Sequence, residues 1–264
     1  MRKKDLIEVE YPNLYEEIFS FDNIPTIKFD SKIYEEIDGK IVEFDPNEAI
    51  NGDIIITDTT FRDGQQARPP YTVEQTVKLF DLIAKLGGPK GVVRWSEFFL
   101  YNLKDREAVE KCLELGHKYP LITGWIRPNK GEFKLVKDMG LIETGMLTSC
   151  SDYHIFFKLK GDRKKILDEY ISMVELAISE GVRPRCHLED VTRADIDGFV
   201  VPFVQKLVEI SSQVPDNLKV KVRLCDTLGL GVTYPGVALP RSIPKLIYKI
   251  VHDCGVPHDR LEWH

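Results

Sequence analysis

From about residue 53 onward, short runs of β-branched and apolar residues alternate with longer segments whose apolar positions recur at helical spacing, the pattern of βα units feeding a parallel sheet. Strands are predicted at 53–58, 91–97, 121–127, 141–149, 182–189, 218–225 and 260–264. Between them, Val73, Val77, Phe80, Ile83 and Ala84 fall on one face of a helix opened by a Thr72/Gln75 capping-box pair and closed by Gly87. Further helices are predicted at 106–115 before Gly116, 163–180 before Gly181, 196–211, and 243–254 before Gly255. The fold class implied is α/β, a TIM (β/α)8 barrel interrupted within strand 7, with the last strand and helix missing. A parallel barrel short of one strand has two unpaired edges, so the chain is expected to be a fragment or to be completed by a partner. Residues 51–264 are expected to form this incomplete catalytic barrel. Residues 1–50 are polar, with only short apolar pieces such as Leu14, Ile18, Phe19, Phe21, Ile41 and Val42, and are expected to be an N-terminal extension acting as a lid or oligomer arm.

In such a barrel the βα loops make the one concave face, so chemistry belongs at the C-terminal ends of strands. Ionisable and hydroxyl residues collect there. The first predicted strand runs into Thr57-Asp58-Thr59-Thr60-Phe61-Arg62-Asp63-Gly64-Gln65-Gln66, the second ends in Glu97 and the third in Arg127. The fourth runs into Thr148-Ser149-Cys150-Ser151-Asp152-Tyr153-His154, the fifth ends Arg185-Cys186-His187-Leu188-Glu189-Asp190, the sixth meets Asp226-Thr227-Leu228-Gly229, and the seventh ends Glu262-Trp263-His264. Solubility alone does not call for His, Asp and Arg at every strand end. Asp63 and His264 together suit a divalent cation held through mixed oxygen and nitrogen ligands. Glu97 precedes Phe98-Phe99-Leu100-Tyr101, where a buried carboxylate needs a partner.

Charge narrows the function class. With 36 basic against 42 acidic residues and a net charge of −6, the chain lacks the positive surface that nucleic-acid backbones demand. Five cysteines without a CxxC pair, and a start, MRKKDLIEVEYPN, without an apolar stretch, point to a reducing, cytoplasmic setting with no membrane partner.

The strand-end residues resemble the DRE-TIM family of metal-dependent acyltransferases and lyases, named for an Asp, Arg and Glu trio on a TIM barrel, which includes 2-isopropylmalate, homocitrate, citramalate and Re-citrate synthases. The resemblance covers about residues 53–264. Its D-T-T-x-R-D-G-x-Q signature matches Asp58 to Gln66, its D-T-x-G matches Asp226 to Gly229, and its E-D pair with a following Arg matches Glu189, Asp190 and Arg193. The resemblance implies that Asp63 is a metal ligand, that Arg62 steadies the enolate and ketone oxygens, and that Glu97 holds Arg62. It implies that Thr227 binds the substrate 1-carboxylate, that Glu189 is the base or orients it, and that Gln66 and Arg127 line the substrate site. The family's second metal-ligating imidazole pairs with His264 in an H-x-H; here His264 is the last residue.

The implied reaction is Claisen-type condensation of acetyl-CoA with a 2-oxo acid, using Mg, Mn or Zn, in a protein expected to be a homodimer when complete. On a strand, Arg185, His187 and Glu189 share one face, so a cationic pair flanks the catalytic carboxylate and favours a second carboxylate on the substrate. Oxaloacetate is preferred and 2-oxoglutarate follows, with the branched acids of 2-isopropylmalate or citramalate synthases as the alternative. A lyase or carboxyltransferase on the same scaffold, or a non-catalytic fragment, are the competing readings. The bland readings are a surface ion pair for Arg185, a satisfied core histidine for His187, a turn cap for Asp152 and His154, and a solvated face for Lys158, Lys160, Lys164 and Lys165.

Overall fold

A computed structural model describes residues 33–44 and 55–264. Most of the expected lid or arm at residues 1–50, and the start of the strand predicted from residue 53, lie outside the described residues.

The first described elements are a hairpin. Strands β1 (Ile33–Ile37) and β2 (Lys40–Phe44) pair antiparallel, joined by Asp38 and Gly39, both at positive φ (50° and 77°). Two such residues are what a tight turn matched to strand twist requires. This hairpin was not foreseen, because its strands alternate Tyr, Glu, Lys and Val too briefly to stand out from a polar segment.

The remaining strands are β3 (Ile56–Asp58), β4 (Val93–Phe98), β5 (Leu121–Ile126), β6 (Glu143–Leu147), β7 (Arg183–Glu189), β8 (Lys221–Cys225) and β9 (Leu261–Trp263). They follow chain order across a seven-stranded sheet, and β3–β4, β4–β5, β5–β6 and β8–β9 pair in parallel. Helices α1 (Val73–Gly87), α2 (Leu103–Glu114), α3 (Lys130–Asp138), α4 (Arg163–Ser179), α5 (Val201–Ser212) and α6 (Ile243–His252) alternate with them. All seven predicted strands are present, and the fold is that of the TIM-barrel class with seven of its strands.

Local chemistry explains the boundaries. The Thr72/Gln75 capping box forms as expected. Helix α2 starts three residues earlier than predicted because Asn102 accepts the Asp105 N–H. Helix α3, absent from the sequence reading, is nine mostly polar residues capped by Asn129 through Glu132 N–H. The helix predicted over 196–211 opens as a π-helical turn at Ile196–Val200, and α5 proper begins beside Pro202, whose missing N–H is harmless at a helix start.

The chain divides into two compact units. One comprises Ile50–Leu147 and Met173–Arg185; the other comprises the first 49 residues, Thr148–Ser172 and Cys186–His264. The first unit's core is built on Phe61, Phe80 and Phe98, with Phe61 stacked on Phe98 at 4.6 Å. The second is built on Tyr170, Phe199 and Phe203 and the apolar face of α5. In the second unit the hairpin is tied to α6: Lys245 meets Glu35 at 3.0 Å, and the buried Lys249 meets Asp38 at 2.5 Å, Asp253 at 3.1 Å and Asp197 at 3.2 Å. Burial alone would lower the Lys249 pKa, but these carboxylates outweigh it and hold the ammonium above its ordinary range.

Candidate functional site

In the unit formed by Ile50–Leu147 and Met173–Arg185, the D-T-T-x-R-D-G signature is first a folding device. Asp58 accepts the Thr60 N–H (3.1 Å), the Thr60 hydroxyl (2.5 Å) and the Ser96 hydroxyl (2.6 Å), while Thr59 C=O accepts the N–H groups of Arg62 and Gly64. This tight turn at the end of β3 fixes where Arg62 and Asp63 project.

Arg62 is 6% exposed and Glu97, on β4, is fully buried. Arg62 Nε donates to Glu97 Oε2 at 2.7 Å and Nη1 to Asp63 Oδ1 at 2.9 Å. Its guanidinium lies 5.4 Å from the Trp125 ring centroid, and Phe99 packs edge-on against the same ring at 5.6 Å. The predicted pairing of Arg62 with Glu97 is thus the arrangement observed. Nη2 of Arg62 has no hydrogen-bond partner among the described residues. A guanidinium locked on two sides and stacked on a third presents a fixed donor to an anion without losing rotamer freedom on binding.

The side chain of Asp63 is 41% exposed. Gln66 is exposed, with its backbone N–H closing the short turn on Asp63 C=O. The Arg127 side chain is 65% exposed, and its backbone N–H and Nε both bind Glu132, which also accepts the Tyr101 hydroxyl. These bonds clasp the start of α3.

Arg185 is fully buried, ion-paired to Glu143 of β6, with its guanidinium 5.1 Å from the Trp95 ring centroid. Its charge is balanced inside the unit. Glu143 was missed in the sequence, although a glutamate inside the apolar run LIETGML was the available signal.

The other unit gathers a second set. Glu189, at the end of β7, accepts the Ser149 hydroxyl and Lys158 Nζ (2.7 Å) and lies 3.1 Å from His154 Nδ1. Burial would raise its pKa, but hydrogen bonds from His154, Lys158 and Ser149 prevail and bring the carboxyl down to about 2. Glu189 is therefore held as an anion by these three neighbours. Both His154 and Lys158 stand in the π-helical turn Tyr153–Lys158, so two residues read as ambiguous or solvated are partners of the carboxylate.

Asp190 is fully buried in a left-handed conformation (φ 66°). It accepts Arg193 through Nε (2.9 Å) and Nη2 (2.7 Å) and the Ser151 hydroxyl at 2.5 Å, while its own N–H donates to Thr227 Oγ1 at 2.8 Å. The Thr227 hydroxyl accepts in this bond and has its O–H as a donor besides. Asp226 accepts the Thr192 hydroxyl and the N–H groups of Leu230 and Gly231, and Gly229 sits at φ 65°, which explains the D-T-x-G pattern as a loop brace beneath Thr227. His187 is 2% exposed, with its carbonyl bound by Thr148 N–H and hydroxyl. His264 continues the alternation of β9 two residues after Glu262, which accepts Arg223 Nε at 2.7 Å; the His264 N–H donates to Leu224 C=O at 2.9 Å.

As to a metal, the exposed carboxylate of Asp63 and the imidazole of His264 are suitable donor types, but no three His, Cys, Asp or Glu side chains gather as a complete ligand set among the described residues. Nor, among those residues, is any helix long and apolar enough to cross a membrane.

Comparison with known proteins agrees with the geometry. The family described as HMGL-like matches residues 53–258. The Citrate (Re)-synthase of Clostridium kluyveri is 49% identical over 259 residues, covering 98% of this chain and 54% of the relative, and that of Syntrophus aciditrophicus is 48% identical over 260 residues, covering 98% and 39%. The chain thus spans about half the length, or less, of these relatives. Among solved structures, hydroxymethylglutaryl-CoA lyase from Pseudomonas aeruginosa shares the fold at a TM-score of 0.56 and 20% identity, covering 80% of this chain and 67% of that one. With the trio's Arg and Glu paired and buried, the motifs in order, and a family match over most of its length, the chain belongs to the HMGL-like family of DRE-TIM barrels.

Proposed function

We propose that the protein condenses acetyl-CoA with oxaloacetate, as a Re-face citrate synthase, with 2-oxoglutarate as the second substrate in rank. The observation that carries this reading is the buried Arg62–Glu97 pair with Asp63 beside it, in a chain nearly half identical to two citrate (Re)-synthases. In the reaction the acetyl methyl group loses a proton, its carbon bonds to the ketone carbon, and the ketone oxygen takes up a proton as the hydroxyl. Water then cleaves the thioester and releases the CoA thiol.

Arg62, fixed by Glu97 and Trp125, offers a donor to the enolate or ketone oxygen where negative charge develops. Thr227 donates its hydroxyl to the 1-carboxylate. Glu189 orients His154 and Lys158. A divalent cation, for which Asp63 offers an oxygen ligand in its own unit, would supply Lewis-acid polarisation of the ketone. A cytoplasmic homodimer fits this reading; the five cysteines are all buried and none forms a disulfide, as in a reducing compartment.

The test is thiol release by the full-length protein given Mg²⁺ or Mn²⁺, acetyl-CoA and each 2-oxo acid in turn. Oxaloacetate is expected to give the highest kcat/KM. Turnover best on 2-oxoisovalerate overturns the dicarboxylate reading, and no thiol release from folded protein with any 2-oxo acid overturns the condensation itself.

A further inference from the structure

Strand β5 carries two buried donors with nothing to bind. The Thr123 hydroxyl and the Trp125 indole N–H are each shielded from solvent and lack a hydrogen-bond partner among the described residues. They stand two residues apart, so they share one face of the strand. Parallel register sets Thr123 beside Glu97 on one neighbouring strand and Trp125 beside Gly145 on the other. That face also carries the Arg62–Glu97 pair, through Arg62 against the Trp125 ring. Gly145 contributes no side chain at the level of the indole.

An unsatisfied buried donor is unfavourable, and native structures rarely keep two on one face without a use. A carboxylate has about four acceptor positions and can serve both donors at once, whereas an apolar tail would seal both away unpaired. We infer that Thr123 Oγ1 and Trp125 Nε1 form the subsite for the distal carboxylate of a 2-oxo dicarboxylic acid, with Arg62 supplying the nearby positive charge. The inference rests on the condensation reading and deepens it. Selection works in both directions, because the same donors that bind a carboxylate penalise a methyl or isopropyl group.

The experiment uses Trp125→Phe, which keeps an aromatic ring for Arg62 and Phe99 but deletes the N–H, and Thr123→Val, which keeps the volume but deletes the hydroxyl. The readouts are the ratio of kcat/KM for oxaloacetate over 2-oxobutyrate and, separately, calorimetric binding of both acids to each protein. Each variant is expected to lower the ratio about ten-fold, the worth of one hydrogen bond to a charged group, and to weaken oxaloacetate binding relative to 2-oxobutyrate by a like factor. A ratio and relative affinities unchanged in both variants overturn the subsite, as does equal weakening toward both acids. If wild-type protein binds oxaloacetate selectively, and loses that selectivity in the variants, yet releases no thiol, the subsite stands and the condensation reading falls.

Discussion

Glu189 is a test of whether the second unit's hydrogen bonds are held as the structure shows. Its side chain is 19% exposed and receives Ser149, Lys158 and His154. The carboxyl titrates at about 2 when folded against an ordinary 4.5. A depressed folded pKa means that the folded state prefers the anion, so the associated stability is fully present above the unfolded value and is lost as pH falls through the folded one. At 1.36 kcal/mol per unit, the difference is about 3 kcal/mol in total, and roughly half of it is gone by pH 3.5. Glu189→Gln removes the titration while keeping the shape. Urea unfolding of both proteins, followed by circular dichroism between pH 7 and pH 3.5, should show wild type more stable by about 3 kcal/mol at pH 7 and by about half that at pH 3.5. Parallel pH profiles for the two proteins would refute the reasoning, because they would mean that Glu189 is solvated and unengaged. The same outcome would withdraw the claim that Glu189 orients His154.

Two further outcomes concern the other unit. Glu97→Gln leaves the buried Arg62 without its inner counter-ion, so urea unfolding should show a loss of about 2–4 kcal/mol, with Asp63 offsetting part of it from its more exposed position; a loss under 0.5 kcal/mol would show that the pair is not closed in solution. Gly91 sits at φ 64°, where an added Cβ would lie 2.2 Å from the Tyr119 ring, so Gly91→Ala should lower stability by roughly 2 kcal/mol or more through combined left-handed strain and displaced packing, and a thermal midpoint within 1–2 °C of wild type would contradict the close approach.

What the sequence made legible and what it hid have distinct physical causes. Strand periodicity and helix caps are local, so all seven strands of the sheet and the Thr72 capping box could be anticipated from residues a few positions apart. Helix α3 escaped because its apolar burial rests on Phe133 and Val136 alone, too few positions to mark a period, and hairpin β1–β2 escaped because its ion pairs reach Lys245 and Lys249 two hundred residues away. The site divides the same way. Arg62 and Asp63 were readable because their turn is encoded by Asp58, Thr59, Thr60 and Gly64 within the same few residues. Glu143 opposite Arg185, and Ser151, Arg193 and Thr227 around Asp190, are pairings between strands and loops that the one-dimensional pattern does not contain.

That difference bears on how specificity is written into this fold. The motif residues of β3 and of the loop after β8 are braced by close neighbours in the chain, with Ser96, Glu97 and Thr192 reaching in from other elements. The residues on the strand faces meet partners from other parts of the chain, Arg185 on Glu143 and Trp95, and Trp125 on Arg62 and Phe99. A change at Thr123 leaves the hydrogen bonds of the Asp58–Gly64 turn in place, so the subsite inferred on β5 can vary independently of the signature that marks the family.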